Sequence, residues 1–414
     1  MKFIGREDFP KTRKDLITDV IAGVTVAIVA LPLAIGFGIT SGLSATSGIA
    51  TAIVAGFIAA LFGGSRFQVS GPTGAMTVIL IPVVGKYGVS AIPILGFMAA
   101  FILLIMAIFR FGNLIKRVPA PVVEGFTVGI ALMIIMQQIP YALGVPKGSG
   151  DRTIEIAFHT IQDAFHIGLK WSTILVVALT LLIKFNIVKI LEKMHVKPYL
   201  PASFMALTIT SIFVIVLNLS VARIGNIPRN VLNWEIPSTT GIHFAALLIP
   251  AFSIALLAAI EALLAARVAD DLANVPKEKE FKANQELMGQ GIATIASSFV
   301  GGMPSTGAIA RTSVNVRSHA TSRVAAITHS VILLFITVFL APMFAEIPTA
   351  AIAGVLIGTS FRIFNKATMR EIFLSSKTDI AIFSITAIVT LSIDLIWGII
   401  SGIIFALALK QFRK

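Results

Sequence analysis

Two charged side chains sit where charge is costly. Arg311 closes the run Ala308-Ile309-Ala310-Arg311, and Glu261 lies within Ala258-Ala259-Ile260-Glu261-Ala262-Leu263-Leu264. If these runs lie in a membrane, each ionisable group costs at least about 2.5 kcal/mol on insertion scales and marks a functional position by default. Arg311 is read as a source of positive potential for an anion pocket. Glu261 could carry a proton, pair with Arg311 or hold sodium. A hard cation wants several oxygen ligands. The neighbours Ala258, Ala262, Leu264, Ala265 and Ala266 offer no hydroxyl, so a proton is favoured over sodium.

The elements that must position these groups are two short, interrupted segments. One reads Phe62-Gly63-Gly64-Ser65-Arg66-Phe67-Gln68-Val69-Ser70-Gly71-Pro72-Thr73-Gly74-Ala75. The other reads Val300-Gly301-Gly302-Met303-Pro304-Ser305-Thr306-Gly307-Ala308-Ile309-Ala310-Arg311. Each has a Gly-Gly pair, an extended or polar stretch and a helix start built of small residues. Extended backbone at membrane depth must be buried in protein or wetted. A helix that starts there aims free N–H groups and the positive end of its dipole at the membrane centre. Two such ends facing each other make an anion site, and interrupted segments at matching places in two halves point to a transporter's binding site. The candidate pocket residues in these segments are Ser70, Gly71 and Pro72 on one side and Ser305, Thr306, Gly307 and Arg311 on the other. The competing reading is that Gly and Pro merely kink packed spans. The pairing of the interruptions, their shortness and the charge on one of them weigh against it.

The surrounding chain supports a membrane setting. Of 414 residues, 56% are hydrophobic and only 13% charged, against about 25% charged in a typical soluble domain. The mean hydropathy is +0.93. An ordinary soluble enzyme, a disordered chain and a nucleic-acid binder are excluded despite a net charge of +13. The absence of cysteine removes disulfides, thiolate nucleophiles and zinc–thiolate sites, and the 6 histidines show no metal spacing. No cofactor or metal is expected, and no nucleophile–base set suggests an enzyme. Spans of about 20 apolar residues are read at 17–38, 46–63, 91–109, 119–142, 172–190, 200–218, 244–267, 285–300, 322–342, 347–361, 377–393 and 395–411. Adding the interrupted 70–84 and 305–316 gives fourteen membrane elements, with the interruptions in the third and tenth. Seven elements per half invert the second copy relative to the first. Segment 153–167 reads instead as an amphipathic surface helix, with Ile154, Ala157, Phe158, Ile161 and Ala164 at helical spacing. The basic N-terminus precedes a run too long for a signal peptide, so it is read as a retained first span.

Sidedness follows from the basic residues. With both termini cytoplasmic, most of the 33 Lys and Arg fall on that face, in the tails and the loops at 110–117, 184–197, 267–282, 317–323 and 362–377. Arg66, Lys86, Lys147, Arg152, Lys170, Arg223 and Arg229 are assigned to the other face. Glu124, Asp379 and Asp394 are read as helix-start charges or turn caps, and His329 as a satisfied packing histidine.

Four stretches carry a resemblance to the sulfate permease (SulP) superfamily, whose mammalian branch includes pendrin and prestin. They are Leu31-Pro32-Leu33-Ala34-Ile35-Gly36-Phe37-Gly38; Phe62-Gly63-Gly64-Ser65-Arg66 with Ser70-Gly71-Pro72-Thr73; Pro304-Ser305-Thr306-Gly307 with Arg311-Thr312-Ser313-Val314-Asn315; and Ile393-Asp394-Leu395 with Gly398 and Gly402. They occur in order along essentially the whole chain. The third is similar to the tenth-helix motif of proton-coupled sulfate transporters of bacteria and plants.

The resemblance implies an all-α polytopic membrane protein with a seven-plus-seven inverted repeat of the uracil-permease type. It implies an N-tail at 1–16, a core domain at 17–118 and 241–345, a gate domain at 119–240 and 346–411, and a C-tail at 412–414. It places an anion between the third and tenth half-helices, with Phe37, Thr73, Ala308, Ile309, Ala310 and Arg311 lining the pocket. Glu261 falls where sodium-coupled bicarbonate members carry Asp and proton-coupled sulfate members Glu. The hydroxyls of the bicarbonate-type sodium site are replaced here by Ala265 and Ile309. Most members also carry a C-terminal STAS domain, which is not expected within a sequence ending just after the last span.

The expected function is proton-coupled uptake of sulfate or a similar oxyanion by alternating access. Alternatives within the class are bicarbonate or dicarboxylate symport, coupled to sodium or protons, and anion exchange. Outside it stand an anion channel and a non-transporting scaffold. The expected setting is a bacterial-type inner membrane, the expected assembly a homodimer, and nucleic acid is not a partner.

Overall fold

Backbone in lipid must satisfy its own N–H and C=O groups, so apolar runs of this length become helices. The computed structural model describes residues 5, 8–115, 118–150, 152–195, 200–225, 232, 234, 236–237, 244–363, 366–393 and 395–411. In order these form α1 (Arg13–Thr40), α2 (Ala45–Phe62), β1 (Ser70–Gly71), α3 (Gly74–Tyr87), α4 (Ala91–Ile108), the single turn α5 (Gly112–Ile115), α6 (Ala120–Gln137), α7 (Ile139–Leu143), α8 (Thr153–Ile167), α9 (Trp171–Lys193) and α10 (Ala202–Val216). They continue with α11 (Phe244–Leu272), α12 (Ala283–Phe299), β2 (Thr306–Gly307), α13 (Ile309–Arg317), α14 (Val324–Ala345), α15 (Thr349–Ile363), α16 (Lys366–Leu374), α17 (Lys377–Ser392) and α18 (Leu395–Gln411).

The protein is therefore an all-α polytopic membrane fold with, among the described residues, one minimal strand pair. Among the described residues, 7 helices are long and apolar enough to cross a membrane by themselves. Each of the fourteen segments read from the sequence contains a helix, and the fifth is broken at Gln138 into α6 and α7.

The chain divides into two compact units, one of Met1–Lys116, Val188–Thr208 and Arg223–Ile347 and the other of Arg117–Ile187, Ile209–Ala222 and Pro348–Lys414. In the first, α1 packs on α2 and α14, α12 on α2 and α4, and α11 on α4 and α13. Small residues make this close packing possible: a Cβ on Gly48 of α2 would stand 1.9 Å from the Ala34 carbonyl oxygen of α1. Thr12 and Asp15 form a capping box that starts α1. Asp19, fully buried in α1, accepts from the Thr321 N–H at 2.6 Å and from the Ser322 hydroxyl, which fixes the turn before α14. Arg323 donates to the Ala60 carbonyl at 3.0 Å and pairs with Asp8 at 3.2 Å.

In the second unit α6 lies against α15 and α17, and α17 against α18. Ser376 caps α17 and its hydroxyl meets the Asp379 carboxylate at 2.9 Å, the helix-start role read for Asp379. Asp394 lies outside the described residues. Helix α8 has the bounds expected of the surface helix. Ala157, Thr160 and Ala164 are buried in it, while Phe158 and Phe165 are 60% and 72% exposed. Part of the apolar stripe therefore faces outward, as in a helix lying in the lipid interface.

Two charge assignments change. Arg66 was placed opposite the basic loop at 267–282, yet its guanidinium reaches the Lys279 carbonyl at 3.5 Å. Arg66, close after the end of α2, therefore lies beside the 267–282 loop and not opposite it. Lys184 was counted as a loop lysine, yet it is 1% exposed and donates to the Val355 carbonyl and the Thr359 hydroxyl, each at 2.6 Å. It belongs to the interior of α9, where a carbonyl and a hydroxyl replace water around its ammonium.

Candidate functional site

Neither interrupted helix spans a bilayer. The 14 residues of α3 rise about 21 Å and the 9 of α13 about 14 Å, against a hydrocarbon core of about 30 Å. The chain ahead of each is extended, and the two extended pieces meet. β1 pairs antiparallel with β2, Ser70 opposite Gly307 and Gly71 opposite Thr306. The Ala308 N–H donates to the Val69 carbonyl at 3.0 Å, and the Thr312 hydroxyl accepts from the Val69 N–H at 3.1 Å. Asn315 donates to the Phe67 carbonyl at 2.8 Å. These bonds satisfy the extended backbone that lipid cannot, and antiparallel pairing sends α3 and α13 away in opposite directions. Neither Thr73 nor Ala308 caps its helix through a side chain. The first-turn N–H groups of both helices are left for another acceptor.

Arg311 is the third residue of α13 and only 1% exposed. Its Nη2 donates to the Pro72 carbonyl at 2.7 Å, while Nη1 is buried with no hydrogen-bond partner. Next along the chain, the Thr73 hydroxyl donates to Glu261 Oε2 at 3.0 Å. Arg311 and Glu261 stand near enough to attract one another directly. The residues close to Glu261 in sequence offer no hydroxyl, but α3 brings one to it.

Of the other candidates, Ala308 and Ile309 are half-buried and Ala310 is exposed at the start of α13. The hydroxyls of Ser70, Ser305 and Thr306 serve the scaffold. Ser70 accepts from Gln290 Nε2 at 2.7 Å, Ser305 lies 3.4 Å from the Thr294 hydroxyl, and Thr306 donates to the Ala258 carbonyl at 3.0 Å. Phe37 is buried on α1, which packs on α3 and α13.

His329 is fully buried, with Nδ1 3.4 Å from the Ser330 hydroxyl, but Nε2 has no hydrogen-bond partner. It is a packing histidine only half satisfied.

Three side chains of the crossover were not singled out from the sequence: Glu286 and Gln290 on α12, and Gln68 ahead of β1. The carboxylate of Glu286 accepts from Gln68 and Gln290 at 2.7 and 2.8 Å. Glu286 is the second residue of the ninth element read from the sequence, where a solvated helix-start charge is the ordinary reading.

Gly71 has its φ at +151°, and a Cβ there would lie 2.5 Å from Arg311 Nη1 and 3.3 Å from the Ala52 backbone. Strain of this kind costs about 1–3 kcal/mol. Gly71→Ala should push the guanidinium off the Pro72 carbonyl and loosen the crossover, read as faster hydrogen exchange at 70–75 and 308–312.

A polytopic helical membrane protein with two half-helices springing from a shared antiparallel crossover has the architecture of a membrane transporter. The chain belongs to the sulfate permease family, whose model matches residues 16–386. It is 34% identical over 414 residues to the putative sulfate transporter YvdB of Bacillus subtilis, covering 98% of this chain and 75% of that protein. It is 30% identical over 403 residues to the bicarbonate transporter BicA of Picosynechococcus, covering 94% of this chain and 69% of that one. The solved transmembrane domain of a cyanobacterial bicarbonate transporter BicA matches with a TM-score of 0.82 at 27% identity, over 94% of this chain and 98% of that chain.

Proposed function

We propose that the protein is a secondary transporter of small inorganic anions that takes up sulfate or a similar oxyanion together with a proton. One observation carries this reading: Arg311 has a buried, unpartnered N–H edge beside two uncapped helix starts. An uncompensated donor in low dielectric is costly unless a ligand completes it. An anion held there meets the guanidinium and both positive dipole ends. The pocket opens alternately to the two sides of a bacterial inner membrane, with both termini cytoplasmic and the chain paired as a homodimer in a seven-plus-seven inverted repeat. A ligand can drive that exchange only through different affinities for the two states. Glu261 is the proton carrier, and its protonation releases the guanidinium to the anion.

A second reading is sodium-coupled bicarbonate symport. The Thr73 hydroxyl beside Glu261 favours it by adding an oxygen to the carboxylate, and named relatives transport bicarbonate.

Uptake by proteoliposomes, screened over labelled sulfate, bicarbonate, chloride and dicarboxylates with imposed proton or sodium gradients, separates these readings. Saturable sulfate uptake driven by an inward proton gradient supports the first, and sodium-driven bicarbonate uptake the second. Fast uncoupled conductance would make the protein a channel, and no saturable flux of any anion would make it a scaffold.

A further inference from the structure

Each crossover is held by a helix from the other half of the chain. The one before β1 runs through Gly63, Gly64, Ser65 and Gln68, and its donors converge on Glu286 of α12, which is 1% exposed. Glu286 Oε2 accepts from the Gly64 and Ser65 N–H groups at 2.7 and 3.0 Å. Oε1 accepts from Gln68 Nε2 and Gln290 Nε2 at 2.7 and 2.8 Å. Gln290 Nε2 also donates to the Ser70 hydroxyl at 2.7 Å, so the network reaches β1 itself. The approach needs a bare backbone: a Cβ on Gly64 would stand 2.1 Å from the Lys282 carbonyl oxygen. Arg323 is near enough to offset part of the buried charge. The crossover before β2 has a plainer brace, the Thr51 hydroxyl of α2 accepting from the Met303 N–H at 2.7 Å. α2 and α12 are the second elements of the two seven-element sets, so the bracing is reciprocal.

We propose that Glu286 is a positioning residue for the anion pocket. Through Gln290 and the crossover backbone it sets where β1 stands, and so where Gly71 and Pro72 meet Arg311. The functional half of this inference rests on the anion-pocket reading above; the brace itself does not. Four donors share one carboxylate, and bonds to a charged acceptor are the strong ones. Glutamine at this position has one acceptor oxygen and turns its amide N–H groups toward at least one donor pair. That pair loses its acceptor while the side-chain volume hardly changes.

The test uses the full chain in lipid vesicles, comparing wild type, Glu286→Gln, Gln290→Ala and Thr51→Val. Hydrogen exchange by mass spectrometry is measured first, then uptake kinetics with labelled sulfate and labelled bicarbonate. In Glu286→Gln, exchange across 63–71 and 306–308 should rise by about tenfold or more, with α1, α4 and α14 unchanged. KM for the transported anion should rise more than kcat falls. In Gln290→Ala, which cuts the link to Ser70 and removes one of the four donors to Glu286 but leaves the Gly64, Ser65 and Gln68 bonds, the rise should be largest near 68–71. Thr51→Val should act first on 301–307.

Unchanged exchange at 63–71, a rise spread evenly over every helix, or a local rise with KM unaltered in a transporting protein would each overturn the proposal. If Glu286→Gln does not fold, Gln290→Ala decides on the same readouts. If the wild type takes up neither anion, the transport reading fails, and exchange at 63–71 and 306–308 still decides whether the brace sets the crossover.

Discussion

Arg311→Ala is expected to remove saturable anion uptake from reconstituted vesicles while leaving the helical far-UV spectrum intact. The arginine makes two contributions that alanine cannot. Its Nη2 satisfies the Pro72 carbonyl, and its Nη1 edge is a charged donor left open in the buried site. Truncating one partner of a buried, hydrogen-bonded charge pair costs about 2–5 kcal/mol, which is a loss of at least about thirtyfold in affinity. The change also leaves Glu261 without its attracting cation, so a negative pocket would repel the anion it should hold.

Two further variants separate these effects. Arg311→Lys keeps the charge but presents a point cation instead of a planar fork. One ammonium on a shorter stem cannot hold Pro72 and present a second donor edge in the same geometry, so affinity should fall less than with alanine and not recover fully. Arg311→Ala combined with Glu261→Gln removes both charges. If repulsion by Glu261 contributes, the double variant should bind better than Arg311→Ala alone, a non-additivity expected of neighbouring groups. Calorimetric titration with sulfate and bicarbonate measures all three. Wild-type affinity in Arg311→Ala would remove this residue from the pocket.

Much of this geometry was open to inspection in the residues, for a physical reason. Lipid forces every apolar run to satisfy its backbone internally, so span positions follow from composition alone, and α8 stood apart by its 3.6-residue apolar period with charges between. The interrupted segments were legible because Gly-Gly pairs, Pro, Ser and Thr gather there ahead of a short apolar run. The identity of the partner across the crossover was not. Val69 meets Ala308, and Asn315 meets Phe67, at separations of more than two hundred residues, and no local pattern encodes such pairing.

Polar residues at span ends were harder still. Glu286 begins a span as a solvated helix-start charge would, and Lys184 stands in the last third of one, where the basic residues of the following loop begin. Burial distinguishes them, and burial is a tertiary property. Thr73 illustrates the same limit: its hydroxyl reaches Glu261 across 188 positions, so the ligand count around that carboxylate could not be taken from its own helix.

Glu261→Gln should abolish the dependence of uptake on the coupling-ion gradient without disturbing the fold. Thr73 donates to Glu261 Oε2, and a glutamine oxygen can accept that bond, so only the charge is lost. The sign of the effect follows from the competition for Arg311. As a carboxylate, Glu261 attracts the guanidinium and repels an incoming anion. Once protonated, it does neither.

Acidifying the side that the pocket faces should therefore strengthen anion binding in the wild type. Glu261→Gln should show the strengthened binding at every pH, because glutamine mimics the protonated acid. Transport should diverge from binding. With no proton to carry, the variant loses gradient-driven accumulation, while exchange of labelled for unlabelled anion across the membrane survives. A variant that binds well, exchanges anion and ignores an imposed proton gradient is the expected result.

The sodium reading predicts something different. Wild-type uptake would then follow sodium at constant pH, and Glu261→Gln would lose that dependence, since an amide oxygen is a weaker ligand for a hard cation than a carboxylate. Glu261→Asp separates the two further. It keeps the charge but draws the carboxylate back from Thr73. Proton coupling needs only the acid and should persist, whereas a sodium ion held jointly by the carboxylate and the Thr73 hydroxyl would be lost with the distance. Gradient dependence unchanged in Glu261→Gln, whichever ion drives the wild type, would assign coupling to another residue.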